Sequence, residues 1–233
     1  MLFRLPRSCK TRYQYLDSPE RRKADRDSAL QNNMPRHKRI VIPDVPHHVT
    51  QRGNNQNTVF DSDADFDRYL KWLSKYAQKY LTDILAYCLM PNHVHFVITP
   101  KETDSLARLF NTLHMRYSQY KNYKSKKTGH LWQGRFFSSP LGDEHLYNAI
   151  RYVERNPVRA NLADYAWNYR WSSAAFHCGK TNHSWITKTD TIFKYSPDEW
   201  KEYLSSEDET IVDKIRAITI KGGDSALFRA LSP

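Results

Sequence analysis

The run Leu89-Met90-Pro91-Asn92-His93-Val94-His95-Phe96-Val97-Ile98 most restricts what this chain can fold into. Pro91-Asn92 reads as a tight connection, because proline fixes φ and asparagine tolerates turn geometry. The residues after it read as a β-strand. On a strand successive side chains alternate faces, so His93 and His95 point the same way, followed by Val97 and Thr99. Val94, Phe96 and Ile98 form the other face, which is wholly apolar and requires a core. Before the turn, Asp83 to Met90 is apolar on both faces, as an inner strand would be. The two segments are expected to pair antiparallel. Two imidazoles about 7 Å apart along one strand face can converge on one cation, and histidine is the commonest metal ligand. A chance HxH is the plain alternative, so the pair needs a partner elsewhere in the chain.

The second constellation is Tyr152-Val153-Glu154-Arg155-Asn156-Pro157. A helix is predicted from Asp143 to about Arg155, with Leu146, Ala149, Ile150 and Val153 as its apolar stripe. Asn156-Pro157 is expected to end it, since the residue before proline disfavours the helical region. Tyr152 and Asn156 are i, i+4 and lie a turn apart. Both fall away from the stripe, which aims Tyr152 at whatever covers that edge. If that is the histidine face, two imidazoles, an amide oxygen and a phenol meet. Such a set suits phosphodiester cleavage: a bound cation grips the scissile phosphate and the tyrosine attacks it. The alternative is an exposed tyrosine beside an asparagine C-cap. Tyr117 lies on an apolar stripe and reads as core. Tyr147 lies on the opposite side of its helix from Tyr152.

Other elements follow from pattern. Pro46 to Arg52 reads as a strand and Gly53-Asn54-Asn55 as a turn. Phe66, Tyr69, Leu70, Leu73, Tyr76, Ala77 and Tyr80 recur at helical spacing after N-cap chemistry at Asp61 and Ser62. A further helix from Ser105 carries Leu106, Leu109, Phe110, Leu113, Tyr117 and Tyr120. From Ser105 to Leu141 there are basic residues and no acidic one: Arg108, Arg116, Lys121, Lys124, Lys126, Lys127 and Arg135. With Trp132 and Phe136 interleaved, this segment is expected to contact nucleic acid through phosphate charge and base stacking. Trp167 to Ala175 is aromatic-rich and should pack over the sheet.

The formal net charge of the 233-residue chain, +11, favours a polyanionic partner. No apolar run approaches the ~20 residues of a spanning helix, and the first residues lack a signal-peptide apolar region. Cys9, Cys88 and Cys178 form no CxxC pair, which argues against a disulfide framework and for a reducing cytoplasm. Residues 1–33 read as a disordered or weakly helical basic extension, with Met34 opening a different texture. Residues 34–178 read as the catalytic domain, and 179–233 as a C-terminal extension of small helices.

Taken together, His93-Val94-His95 after Met90-Pro91-Asn92, and Tyr152 within Arg151 to Ala160 (RYVERNPVRA), resemble the REP-associated tyrosine transposases, a branch of the HUH single-strand nucleases. Pro46 to Asn55 (PHHVTQRGNN), Gly129 to Phe136 (GHLWQGRF) and Trp171 to Ala174 (WSSA) are further matching pieces. The resemblance implies an α+β, ferredoxin-like antiparallel sheet with packed helices and the histidine pair on a central strand. It implies Mg²⁺ or Mn²⁺ held by His93, His95 and Asn156, and Tyr152 as the nucleophile that leaves a 5′-phosphotyrosine. It implies single-stranded DNA bearing palindromic hairpins as substrate, acted on by a monomer or homodimer. Two other readings compete: a hairpin-binding protein without catalysis, and a metal phosphodiesterase that uses water.

Overall fold

The structure, a computed structural model, describes residues 39–187 and 194–206. The expectations for residues 1–33, and for the chain beyond 206, lie outside the described residues. Four antiparallel strands form one sheet: β1 (His47–Arg52), β2 (Thr82–Met90), β3 (His93–Pro100) and β4 (Phe137–Pro140), in the order β2-β3-β1-β4. Helix α1 (Asp63–Lys79) connects β1 to β2, and α2 (Ser105–Ser125) connects β3 to β4. Strand, helix, two strands, helix, strand is the ferredoxin-like arrangement, with β3 central.

Period-two alternation splits the sheet into two buried faces. Val49, Val94, Phe96 and Ile98 face α1 and α2, where Tyr69, Leu73, Phe110, Leu113 and Tyr117 complete the first core. Val97 and Cys88 face α3 (Asp143–Glu154), whose Leu146, Ala149, Ile150 and Val153 are all buried. The predicted stripes are therefore the packed ones. Tyr117 is core, and its hydroxyl donates to the Val59 carbonyl at 3.0 Å.

β2 is an edge strand and not the inner strand that its composition suggests. Its two-sided hydrophobicity reflects cover on both faces. Its free edge is screened by the segment Trp171–Ser173: the Leu89 N–H donates to the Trp171 carbonyl and the Ser173 N–H to the Tyr87 carbonyl. Trp171 itself stacks on Phe66, with centroids 4.6 Å apart.

The helix α3 ends at Glu154, before Asn156-Pro157, as expected, but a second, short helix follows at once. After α3, Pro157 sits in the first turn of a short helix, α4 (Asn156–Arg159), where its missing N–H costs nothing. Two further helices follow, α5 (Ala174–His177) and α6 (Pro197–Ser205). Ser196 and Glu199 form a capping box at the start of α6, and Trp200 of α6 is fully buried in the second core.

Ser62 precedes α1 as expected but makes no side-chain cap. Asp65 instead reaches back to the Asp61 N–H at 3.0 Å. Its buried carboxylate also takes Lys121 at 2.9 Å, Lys124 at 2.7 Å and the Tyr120 hydroxyl at 2.8 Å. Burial opposes ionisation of Asp65, but Lys124, Lys121 and the other donors outweigh it and hold the carboxyl well below the usual carboxylate range. Asp65→Asn is expected to cost about 3 kcal/mol in urea denaturation at pH 7, because it removes the buried carboxylate shared by Lys121 and Lys124 and leaves Lys121 only the exposed Asp61. The folded carboxyl titrates below the unfolded value of about 4. The wild-type advantage is thus full above that value and shrinks as pH falls toward the folded one, so the two denaturation curves should converge in acid.

Candidate active site

β1 and β3 supply the floor of the site. Their register sets Thr50 opposite His95, Arg52 opposite His93 and His48 opposite Val97. The consecutive histidines of β1 therefore go to opposite faces. His47 enters the first core, where Nδ1 lies 2.7 Å from the Val45 carbonyl. His48 joins His93 and His95 beneath α3.

Gly53 fastens the end of β1 to the β2–β3 turn, its N–H donating to the Asn92 carbonyl at 2.8 Å. A Cβ at this position would lie 2.3 Å from the Asn57 carbonyl oxygen, so no side chain fits. Asn92 in turn orients His93. Its Nδ2 donates to the Gln56 carbonyl and its Oδ1 lies 2.6 Å from His93 Nδ1. Nδ1 must then carry the hydrogen, which leaves the Nε2 lone pair of His93 for a ligand. His95 Nδ1 lies 3.3 Å from His48 Nε2, with the two rings stacked at 5.5 Å. The rings of His93 and His95 meet edge-on at 4.9 Å.

All three imidazoles favour the neutral form that ligation needs. Burial, reinforced by Arg159, pushes His48 down to about 4. Burial, then Arg52 and Arg159, does the same to His93. His95 lies well below the ordinary range through burial, His93 and His48.

α3 brings Tyr152 onto this floor. Its ring lies edge-on to His48 and His95, with centroids 5.7 and 5.9 Å away. Tyr152 is buried and not exposed at the helix margin. Asn156 takes the helix-end role that its position suggested. Nδ2 donates to the Tyr152 and Val153 carbonyls at 3.0 and 3.2 Å, closing the end of α3. That fixes the amide so that Oδ1 points away from the helix, where Arg159 Nη2 donates to it at 2.8 Å. Among the described residues no group of three His, Cys, Asp or Glu side chains is arranged to hold a metal. The donors that fit a divalent ion are two neutral imidazoles and one amide oxygen.

Glu154 holds α3 from behind. This fully buried carboxylate accepts from the Trp200 Nε1–H at 2.9 Å and the Ser173 hydroxyl at 2.5 Å, and lies 2.6 Å from His177 Nδ1. It stands between Tyr152 and Asn156 in sequence and faces α5 and α6.

The basic segment is less uniform than its sequence. Lys121 is buried between Asp61 and Asp65, Lys124 pairs with Asp65, and Arg108 pairs with Glu102 and Asp104. These carboxylates lie outside the segment, on or beside α1 and before α2. Arg116, Lys126, Lys127 and Arg135 are exposed and make no ion pair among the described residues. Trp132 and Phe136 are buried, and with Phe110, His114, Met115 and Arg135 they line a groove of about 420 Å³ beside α2.

Sequence reasoning did not assign His48, Glu154 or Arg159 to the site. The His47-His48 pair within a strand already signalled that one imidazole faces each side. Arg159 lies on the short helix that follows the end of α3, which no periodic pattern in the sequence announces.

A histidine pair on the central strand of a four-stranded antiparallel sheet, covered by a tyrosine-bearing helix, is the HUH transposase fold. Residues 42–156 match the family of IS200-like transposases. The structure of a REP-associated tyrosine transposase bound to a REP hairpin is similar over 70% of this chain and 96% of its own, at 15% identity and a TM-score of 0.55. A protein described as a transposase from Deinococcus radiodurans aligns over 55% of this chain and 98% of its own, at 18% identity and a TM-score of 0.37. A bacterial tRNA(His) guanylyltransferase-like protein with GTP aligns over 60% and 77%, at 13% identity and the same TM-score. No curated protein matches the chain in sequence. No helix among the described residues is long and apolar enough to cross a membrane.

Replacing Glu154 by alanine is expected to cost about 3 kcal/mol in urea denaturation, since it removes the buried carboxylate on which Trp200, Ser173 and His177 converge.

Proposed function

We propose that the protein is a metal-dependent single-strand DNA endonuclease and strand transferase with Tyr152 as nucleophile. The observation that carries this reading is the contact of the Tyr152 ring with His95 and His48. His93, His95 and Asn156 would hold Mg²⁺ or Mn²⁺. When bound, the ion supplies positive charge to the scissile phosphate and helps orient it.

The chain's own part is positioning. The buried ring of Tyr152, packed edge-on to His48 and His95, would keep its hydroxyl on the histidine face. Tyr152 Oη attacks phosphorus in line with the 3′ oxygen. The Oη–P bond forms and the P–O3′ bond breaks. The phenol loses its proton and the departing 3′ oxygen gains one. A 5′-phosphotyrosine and a free 3′ hydroxyl result. One phosphoester replaces another, so a second 3′ hydroxyl can reverse the step without an external energy source.

The substrate we propose is single-stranded DNA with a palindromic hairpin, supported by the hairpin-bound transposase that shares the fold. Phosphate contacts fall to the exposed Arg116, Lys126, Lys127 and Arg135. Trp132 and Phe136, in the wall of the groove beside α2, offer an aromatic surface to bases. Lys121, Lys124 and Arg108, already paired with carboxylates, contribute less.

Hairpin oligonucleotides incubated with the full chain and Mn²⁺ should give a covalent protein–DNA species on denaturing gels. Tyr152→Phe should abolish that species and leave hairpin affinity within about 0.5 kcal/mol, roughly twofold. An adduct that persists removes Tyr152 from the role. Cleavage with no adduct favours water as the nucleophile, and binding with no cleavage favours a non-catalytic binder. Changing Lys126, Lys127 and Arg135 together to alanine should lower the slope of log K against log salt by about 0.7 per cation removed, or about 2 in all.

A further inference from the structure

Arg159 is placed where the proposed chemistry would need a second cation. It lies three residues beyond Asn156 on α4, and the turn after Pro157 folds it back over α3. Its Cζ stands 4.0 Å above the centre of the Tyr152 ring. Nη2 donates to Asn156 Oδ1 at 2.8 Å and approaches the Tyr152 carbonyl at 3.5 Å. One guanidinium thus touches both the nucleophile's ring and the amide oxygen that completes the ligand set.

Two demands meet at Asn156 Oδ1. The oxygen is fixed in direction, because Nδ2 is engaged by two helix carbonyls. A guanidinium and a divalent cation both seek it, and their like charges repel at such close range. A guanidinium released from Oδ1 has a natural destination in a phosphate, whose oxygens match its planar fork. The Tyr152 ring keeps the side chain over the nucleophile while its donors change partner.

We infer that Arg159 is a phosphate-binding residue that exchanges partners: it yields Asn156 Oδ1 to the divalent ion and takes a non-bridging oxygen of the scissile phosphate. This inference rests on the reading of the site as a metal-dependent tyrosine nuclease. Its consequence is linkage. Each partner that occupies one end of the exchange favours the other, so metal and strand bind with positive coupling, reciprocally. Lysine cannot replace arginine here, since an ammonium lacks the fork.

The test is a Mn²⁺ titration followed by electron paramagnetic resonance, with full-length Tyr152→Phe protein so that the strand stays intact. It is run with and without a single-stranded hairpin oligonucleotide. The strand should tighten Mn²⁺ binding by about tenfold, within the usual range of such couplings. Adding Arg159→Ala should tighten Mn²⁺ binding in the absence of DNA and reduce the coupling to near unity. Arg159→Lys should fall between the two. Thermal melting checks that each variant folds. If the alanine variant does not fold, the lysine variant carries the comparison.

Mn²⁺ affinity unchanged or weakened by loss of Arg159, with coupling intact, would make the residue a structural brace and overturn the exchange. Failure of every variant to bind Mn²⁺ overturns it as well. Failure of the underlying reading shows elsewhere: Tyr152-containing protein would form no adduct, whatever the titrations report.

Discussion

The pairing of β1 with β3 is the constraint on which the site depends. Both strands are buried on both faces, so their register is specified twice. The first core needs Val49 beside Phe96, with Val94 and Ile98 on the same side. Once those apolar residues are seated, the intervening ones have no choice of face. His48, Thr50, Arg52, His93 and His95 must share the other surface. A slip of one residue would exchange the two sets and place imidazoles against Phe110 and Tyr69. Gly53, held to the Asn92 carbonyl, closes the strand end where such a slip would begin. The polar site is thus registered by the apolar core on its reverse.

What could be read from the sequence was what local period determines. The histidine strand, the α1 and α2 stripes and the Leu146/Ile150/Val153 face all follow from spacing along one element. Partnerships between distant elements could not be read. The acid that neutralises Lys121 and Lys124 is Asp65, on another helix, so a segment free of acids in sequence is not free of them in space. The edge position of β2 was concealed because hydrophobicity records cover on the faces and says nothing of neighbours in the sheet. Pro157 marks the end of α3 as its position implies, but a proline also suits the first turn of a new helix, and the short one that carries Arg159 is too brief to leave a period. The pairing of Tyr152 with the histidines was stated as a condition on geometry, and the packing of α3 meets it.

The helix that bears Tyr152 is gripped on two sides. Toward the sheet it sets Tyr152 against His48 of β1 and His95 of β3. Away from it, Glu154 gathers Ser173, His177 and Trp200. These three residues lie beyond the stretch 42–156 that matches the family. The later part of the chain therefore takes part in holding the tyrosine helix, and its sequence is constrained by the site without lining it.

The amide of Asn156 has one more implication. With Nδ2 committed to two carbonyl oxygens, an aspartate at this position would set a carboxylate oxygen against both of them. The position thus selects an uncharged donor. His93 and His95, held neutral by burial, are uncharged as well. If these three residues hold an ion as proposed, a ligand shell without a formal anion would leave its double charge undiminished toward a phosphate. An ordinary helix-end hydrogen bond would then set the electrophilic strength of that centre.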